Sequence, residues 1–236
     1  MRAVILAGGK GTRLAPYTTV FPKPMMPLGD IPILEVVLRQ LCHAGFTDIT
    51  LAVGHLAELL VAYFADGDKF GVRLTYAREE TPLGTAGPLS VIEGLDETFL
   101  VMNGDLLTNI DYRDLLAYHR SRGALTTIAT HERTVEIDYG VLDVSSSERV
   151  TAYTEKPTFT YRVSMGIYIF EPRVISLLEP GARLDFPDLV RLMLDRGEQV
   201  ESYHFSGYWL DIGRPDDYQR ATDEFERLRG DFLKGE

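Results

Sequence analysis

Apolar and polar positions alternate along this chain with two different periods. Val4-Ile5-Leu6 is a short apolar run ending at Gly8-Gly9, which predicts a buried strand. From 32 to 43, Ile33, Val37 and Leu41 recur every four residues, with Leu34 and Leu38 beside them. That is one apolar helix face, with Pro32 suited to its first turn and Gly45 to its stop. Ile49 to Val53 predicts the next strand, Leu56 to Phe64 a helix and Val72 to Tyr76 a strand. Thr85 is placed to cap a short helix running to about Ile92, with Pro88 in its first turn. Phe99 to Met102 is a fully apolar strand that ends at Asn103-Gly104-Asp105, and a helix follows from about Asp111 to Ser121, with Gly123 just past its end.

Strand, helix, strand, helix implies an α/β fold, a mostly parallel, doubly wound mixed sheet with helices on both faces. After Ala124 the texture becomes β-rich. Leu125 to Thr130, Gly140 to Val144, Val150 to Tyr153, Val163 to Phe170 and Val200 to Phe205 read as strands, so this half should extend the sheet with some antiparallel pairing. Short helices are expected near 172–179 and 186–196, and Ser145-Ser146-Ser147 fits a hairpin turn. Pro215 to about Arg229 reads as a polar amphipathic helix. The expectation is one domain over 1–236: a nucleotide-binding half to about 110, a second half from about 111 to 213, and a C-terminal helix from 214 to 236.

Composition narrows the function. The 236 residues are 45% hydrophobic and 25% charged, as in ordinary globular proteins. No apolar run approaches the roughly 18 residues of a membrane span. The N-terminal apolar run is too short for a signal peptide, and the single Cys42 has no internal disulfide partner, which together favour the cytoplasm. A net charge of −11 repels nucleic-acid phosphates and anionic lipid, so neither nucleic acid nor membrane is an expected partner. Any phosphate site must then be a local cluster of cations and backbone N–H groups.

Two segments offer such a cluster. In Leu6-Ala7-Gly8-Gly9-Lys10-Gly11-Thr12-Arg13-Leu14, a buried strand runs into a glycine-rich turn followed by a guanidinium. Glycines let backbone N–H groups approach phosphate oxygens, and Arg13 adds a bidentate donor. The P-loop pattern fails, since Arg13 stands five residues after Gly8, and the dinucleotide fingerprint fails at Leu14. Phe21-Pro22-Lys23-Pro24-Met25-Met26-Pro27 is too proline-rich for a helix or central strand, and it forms a stiff loop that holds Lys23. Asp105 ends an apolar strand, where open α/β sheets bind ligands, and Asp211 shares a strand face with Trp209. The five histidines have no metal-ligand spacing.

These residues, with Pro16, Thr18 and Pro22-Lys23-Pro24-Met25, make the chain resemble the sugar-1-phosphate nucleotidylyltransferases. Further segments match that family in order: Leu83-Gly84-Thr85-Ala86-Gly87, Asn103-Gly104-Asp105, Tyr139-Gly140, Glu155-Lys156-Pro157 and Trp209-Leu210-Asp211-Ile212-Gly213. The loop at 83–89 looks closest to mannose-1-phosphate guanylyltransferases, many of which carry a C-terminal β-helix; none is expected in this chain, and the oligomeric state, a homo-oligomer included, is left open.

The resemblance implies transfer of a nucleotidyl group from a nucleoside triphosphate to a sugar 1-phosphate, with Mg²⁺ as cofactor. It implies a nucleotide site at Leu6, Ala7, Gly8, Gly9, Gly11, Thr12, Arg13, Glu80, Gly84 and Thr85. It places the sugar phosphate at Lys23, Asn103, Gly140, Glu155 and Lys156, the metal at Asp105 and Asp211, and the catalytic cations at Arg13 and Lys23. The attacking phosphate oxygen is already ionised, so positioning and charge neutralisation replace a general base. For the base, guanine is expected. Glu79 and Glu80 lie five and four residues before Gly84, and a carboxylate there could accept from both N1–H and the 2-amino group. The alternatives are UTP, dTTP or CTP as donor, a nucleotide-sugar-dependent glycosyltransferase, and a non-catalytic binding homologue.

Overall fold

The computed structural model describes residues 1–79 and 81–233. Its strands are β1 (Arg2–Ala7), β2 (Pro27–Leu28), β3 (Ile31–Pro32), β4 (Asp48–Val53), β5 (Arg73–Arg78), β6 (Phe99–Asn103), β7 (Leu106–Thr108), β8 (Thr126–Glu136), β9 (Val141–Val144), β10 (Val150–Thr154), β11 (Thr158–Phe170), β12 (Val200–His204) and β13 (Trp209–Asp211). The helices are α1 (Ile33–His43), α2 (Ala57–Phe64), α3 (Tyr112–Arg122), α4 (Phe186–Asp195) and α5 (Pro215–Phe232). None of the described helices is long and apolar enough to cross a membrane.

A seven-stranded sheet with the order β12-β8-β11-β6-β1-β4-β5 organises the molecule. β4, β5 and β6 run parallel to β1 or to its neighbour, β11 is antiparallel to both β6 and β8, and β12 is parallel to β8. Only β11 therefore runs against the rest of the sheet. This is the expected mostly parallel α/β architecture with one reversed strand.

The central strands are buried on both faces because their side chains alternate between two cores. Ala3, Ile5 and Ala7 of β1 join α1, α2 and α3 in one core, while Val4 faces the other with Phe99, Val101 and α4. Ile5 and Val4 are fully buried, each contributing about 1.5–3 kcal/mol over exposure. α1 ends as its glycine predicts: Gly45 N–H bonds Cys42 O and Phe46 N–H bonds Leu41 O, at 2.9 and 2.8 Å. A third core under α5 joins Leu28, Ile33, Leu210, Ile212, Phe225 and Phe232.

Three expectations change. Thr85 does not cap a helix of its own; residues 87–90 make a single 3₁₀ turn. Its hydroxyl instead accepts from Phe186 N–H at the start of α4 (2.8 Å), while its own N–H donates to Asp185 Oδ1 (3.0 Å). The tertiary partner wins because Ala86 and Gly87 N–H both reach Leu184 O, which fixes the loop against 182–185. Second, β8 and β11 run well past the stretches expected from their apolar patterns, pairing from Thr158↔Glu136 to Ser164↔Thr130 as a ribbon beyond the sheet. Those added residues are largely exposed, so they carry no burial signal in the sequence. Third, α5 extends three residues past the expected end at 229, because Phe232 packs on Phe225 with ring centroids 5.9 Å apart.

His119 is a buried polar joint between α3 and the sheet. One ring nitrogen meets Thr127 Oγ1 at 2.8 Å and the other Glu171 Oε1 at 3.0 Å. Burial holds the imidazole below its ordinary 6.5, against the opposing pull of Glu171. The unfolded chain therefore takes up this proton first as pH falls. The associated stability is fully present above pH 6.5 and is lost as pH drops towards the folded-state value. Thermal unfolding should show a larger loss of Tm from pH 7.5 to 5.5 in the wild type than in His119→Gln. Equal losses would refute the assignment.

Candidate functional site

The first half of the chain winds β1, α1, β4, α2 and β5 outward on one side, and then β6 is laid on the other side of β1. The gap between the carboxyl ends of β1 and β6 is thus a topological switch point, where such sheets bind ligands. The glycine-rich loop leaves β1 there, and Asn103-Gly104-Asp105 leaves β6 there.

A pocket of about 280 Å³ opens at this point, lined by Leu6, Ala7, Gly9, Gly11, Thr12, Arg13, Lys23, Pro24 and Asp105. The loop is shaped from below. Gly11 has φ +59°, and a Cβ there would stand 2.9 Å from Thr18, whose hydroxyl donates to Gly11 O at 2.7 Å. Only glycine accepts that conformation beside Thr18 without strain. Gly104 N–H donates to Leu6 O at 2.9 Å, which ties the two strand ends together.

Lys23 is the centre of the charge arrangement. The Pro22–Pro24 turn aims it inward, and its ammonium donates to Asp105 Oδ2 and lies 3.9 Å from Asp211 Oδ1. The Lys23 side chain is 10% exposed and that of Asp105 22%. Asp211 arrives on β13, which pairs antiparallel with β7 so that Asp211 faces Leu106, next to Asp105. Burial pushes the Asp211 carboxyl above its ordinary 3.8, the Asp105 charge adds to this, and Lys23 and Arg13 oppose it. Asp105 Oδ1 is buried with no hydrogen-bond partner among the described residues.

Two converging carboxylates, one with a buried free oxygen, are the donor set a hard divalent cation needs, with phosphate oxygens completing the shell. Asp105 can keep Lys23 on Oδ2 and still offer Oδ1. The residues therefore fit Mg²⁺.

The structure brings together Leu6, Ala7, Gly9, Gly11, Thr12, Arg13, Lys23, Asp105 and Asp211. Asn103 stands beside them, against the β11 bulge. Gly166 there has φ +74°, and a Cβ on it would lie 2.6 Å from Asn103 Nδ2. Gly84 and Thr85 sit on the neighbouring loop held by α4. Gly140, Glu155 and Lys156 lie on the exposed β9–β10 hairpin, where Glu155 accepts from Tyr153 OH at 2.6 Å; no described contact joins them to Lys23, Asp105 or Asp211. Glu80 lies outside the described residues.

Sequence reading missed the placement of Glu79. Its Oε2 accepts from Leu83 N–H at 2.9 Å, and its Oε1 lies over Gly8, 2.8 Å from where a Cβ would be. It also missed a second cavity of about 390 Å³ that shares Arg13 with the first pocket and is lined by Asp211 as well. Arg133 and Arg214 line it, and no motif marks either residue.

A family model described as nucleotidyl transferase matches residues 2–227. The chain belongs to the nucleotidyl transferase family. Among its relatives is a UTP–glucose-1-phosphate uridylyltransferase of Synechocystis sp., 36% identical over 94% of this chain and 62% of that protein. A mannose-1-phosphate guanyltransferase of Candida albicans is 34% identical over 94% of this chain and 64% of that one. The chain thus spans less than two thirds of the length of these relatives. HddC from Yersinia pseudotuberculosis superimposes with a TM-score of 0.73 at 26% identity, covering 95% of this chain and 99% of that one. Its complex with GMP-PN gives 0.72 at 25% identity, with the same coverage.

The charge arrangement around Lys23 makes a prediction that needs no turnover. Lys23→Met leaves two partly buried carboxylates facing each other, and should destabilise the metal-free protein by about 3–5 kcal/mol, as breaking a buried pair does. Millimolar Mg²⁺ should raise the Tm of the variant more than that of the wild type, because the cation replaces the lost ammonium. A variant insensitive to Mg²⁺ would refute the metal assignment.

Proposed function

We propose that this chain transfers a nucleotidyl group from a nucleoside triphosphate to a sugar 1-phosphate, releasing pyrophosphate. The observation that carries the reading is the switch-point pocket: a glycine-rich loop, two cations and two carboxylates in one place. A phosphate oxygen of the sugar phosphate attacks the α-phosphorus. The bond to the bridging oxygen of the β-phosphate breaks, and that oxygen leaves with the pyrophosphate. No proton has to move, which suits a pocket whose lining contains no histidine.

The barrier is the meeting of two polyanions, so catalysis rests on fixed opposite charge. Lys23 is positioned to neutralise the α-phosphate and the incoming oxygen. Arg13 is positioned on the departing pyrophosphate, with the loop from Gly9 to Thr12 shaped for close approach of phosphate. Asp105 and Asp211 would hold Mg²⁺, which supplies further charge neutralisation when bound. Gly140, Glu155 and Lys156 would serve the sugar phosphate once their hairpin approaches the pocket.

GTP is the proposed donor and mannose 1-phosphate the proposed acceptor. Glu79 supports a purine carrying N–H donors: its Oε2 is engaged by Leu83 N–H, and Oε1 is left to accept over Gly8. Several mannose-1-phosphate guanyltransferases among the relatives agree with this. A UTP-dependent reading is kept because a uridylyltransferase is similar to the same degree. Pyrophosphate release should be measured for GTP, UTP, dTTP, CTP and ATP against mannose 1-phosphate and glucose 1-phosphate. The highest kcat/KM is expected for GTP with mannose 1-phosphate. Glu79→Gln, which trades an acceptor for a donor at one position, should narrow the GTP preference by on the order of tenfold or more. A pyrimidine preference would overturn the base and keep the reaction; no pyrophosphate from any pair would overturn the reaction.

Arg13→Ala should lower kcat/KM by on the order of a hundredfold or more, as loss of one preorganised donor does elsewhere. Circular dichroism should be unchanged, since Arg13 makes no hydrogen bond or ion pair with another described residue. An effect below threefold would remove Arg13 from the reacting phosphates.

A further inference from the structure

We propose that the second cavity is a phosphate-binding subsite served by Arg133 and Arg214, residues with no role in the reading above. The cavity, of about 390 Å³, lies between the β8–β11 ribbon, β13 and the start of α5. Its wall is formed by His131–Thr134 of the ribbon, by Trp209 and Asp211 of β13, and by Arg214, Asp217 and Arg220 of α5 and its cap. Arg13 lines both this cavity and the Lys23 pocket, and Asp211, which lines this cavity, stands 3.9 Å from the Lys23 ammonium, so the two spaces adjoin at side chains already assigned to phosphate and metal.

The guanidinium groups distinguish this cavity. In a protein of net charge −11, four arginines line one concavity. Arg220 is engaged by Glu224 at 3.3 Å. Arg13, Arg133 and Arg214 make no hydrogen bond or ion pair with any other described residue. Arg13 lies flat against Gly213, its guanidinium atoms 3.4–3.5 Å from where a Cβ would be. Arg214 sits at the N-cap of the 18-residue helix α5, whose dipole adds positive potential at the same end.

Glu132, Asp211 and Asp217 line the cavity as well. They offset the arginines formally while it holds no anion, which lets the cations converge without a large self-repulsion. None of the three forms an ion pair with Arg13, Arg133 or Arg214, so these guanidinium donors are not taken up by a neighbouring carboxylate. Guanidinium forks lining one volume suit the oxygens of phosphate or pyrophosphate, and the carboxylates and Thr134 suit sugar hydroxyls.

Two anions of the proposed reaction share this chemistry, the phosphate of the acceptor and the released pyrophosphate. Which of them the cavity serves rests on the nucleotidyl-transfer reading; binding itself does not. Calorimetric titration with inorganic pyrophosphate and with mannose 1-phosphate, without nucleotide, should show binding to the wild type that weakens on the order of tenfold in Arg214→Gln and in Arg133→Gln. Their Tm should be unchanged, and Arg133, on the exposed ribbon, keeps the test valid if the Arg214 variant fails to fold. In steady state, a raised KM for pyrophosphate in the reverse direction identifies the leaving-group subsite; a raised KM for the sugar phosphate with the KM for pyrophosphate unchanged identifies the acceptor subsite. Either supports the proposal. Unchanged dissociation constants in both variants for both anions would overturn it. A protein that binds these anions through Arg214 yet turns over no triphosphate would leave this subsite standing and sink the proposed function.

Discussion

The site depends on one constraint, that Asp105 and Asp211 must stand close together, balanced first by Lys23 and then by Arg13. The carboxyl of Asp211 is raised first by its burial and then by the charge of Asp105, so the pair resists joint ionisation. The ammonium of Lys23 makes the pair tolerable, and a rigid turn between two prolines keeps it there. The order of the sheet serves the same end. Laying β6 beside β1 brings Asp105 to the glycine loop, and the β13–β7 pairing brings Asp211 to Asp105.

This arrangement is costly to folding and suited to polyanion chemistry. A buried carboxylate oxygen without a partner is a local loss of stability of about 1–3 kcal/mol. The surrounding scaffold absorbs it: β1 and β6 are buried on both faces, and the loop from 83 to 87 is fixed to 182–186 by three backbone bonds and by the bonds of Thr85 to Asp185 and Phe186. The rigid part of the molecule lies below the site. The exposed β8–β11 ribbon and the β9–β10 hairpin lie above it, and they carry Gly140, Glu155, Lys156 and Arg133. The division places the converging carboxylates and cations where ligands bring compensating charge.

The N-terminal half was largely legible because its signals are local. Val4-Ile5-Leu6 can only be a buried strand, Ile33 to Leu41 repeats at helical spacing, and Gly45 ends the helix through its own bond to Cys42 O and the next residue's bond to Leu41 O. The site loops were legible for a related reason. A run of glycines followed by Arg13, and a lysine between prolines, state their backbone conformations in the sequence itself. The ribbon residues 131–136 and 158–162 were not legible, since they bury little and pair only with each other.

By itself the sequence determined the α/β class, the glycine loop at the end of β1, the strand end at Asp105 and the family resemblance, because each depends on residues adjacent in the chain. Only the tertiary structure decided what meets across long separations. It gave Lys23 to Asp105, eighty-two positions away, and the hydroxyl of Thr85 to Phe186 instead of a helix of its own. It set Glu79 over Gly8, and it gathered Arg13, Arg133 and Arg214 around one cavity. Such meetings depend on strand order and register, and a side chain with no local partner carries no mark in the sequence of the distant group it will face.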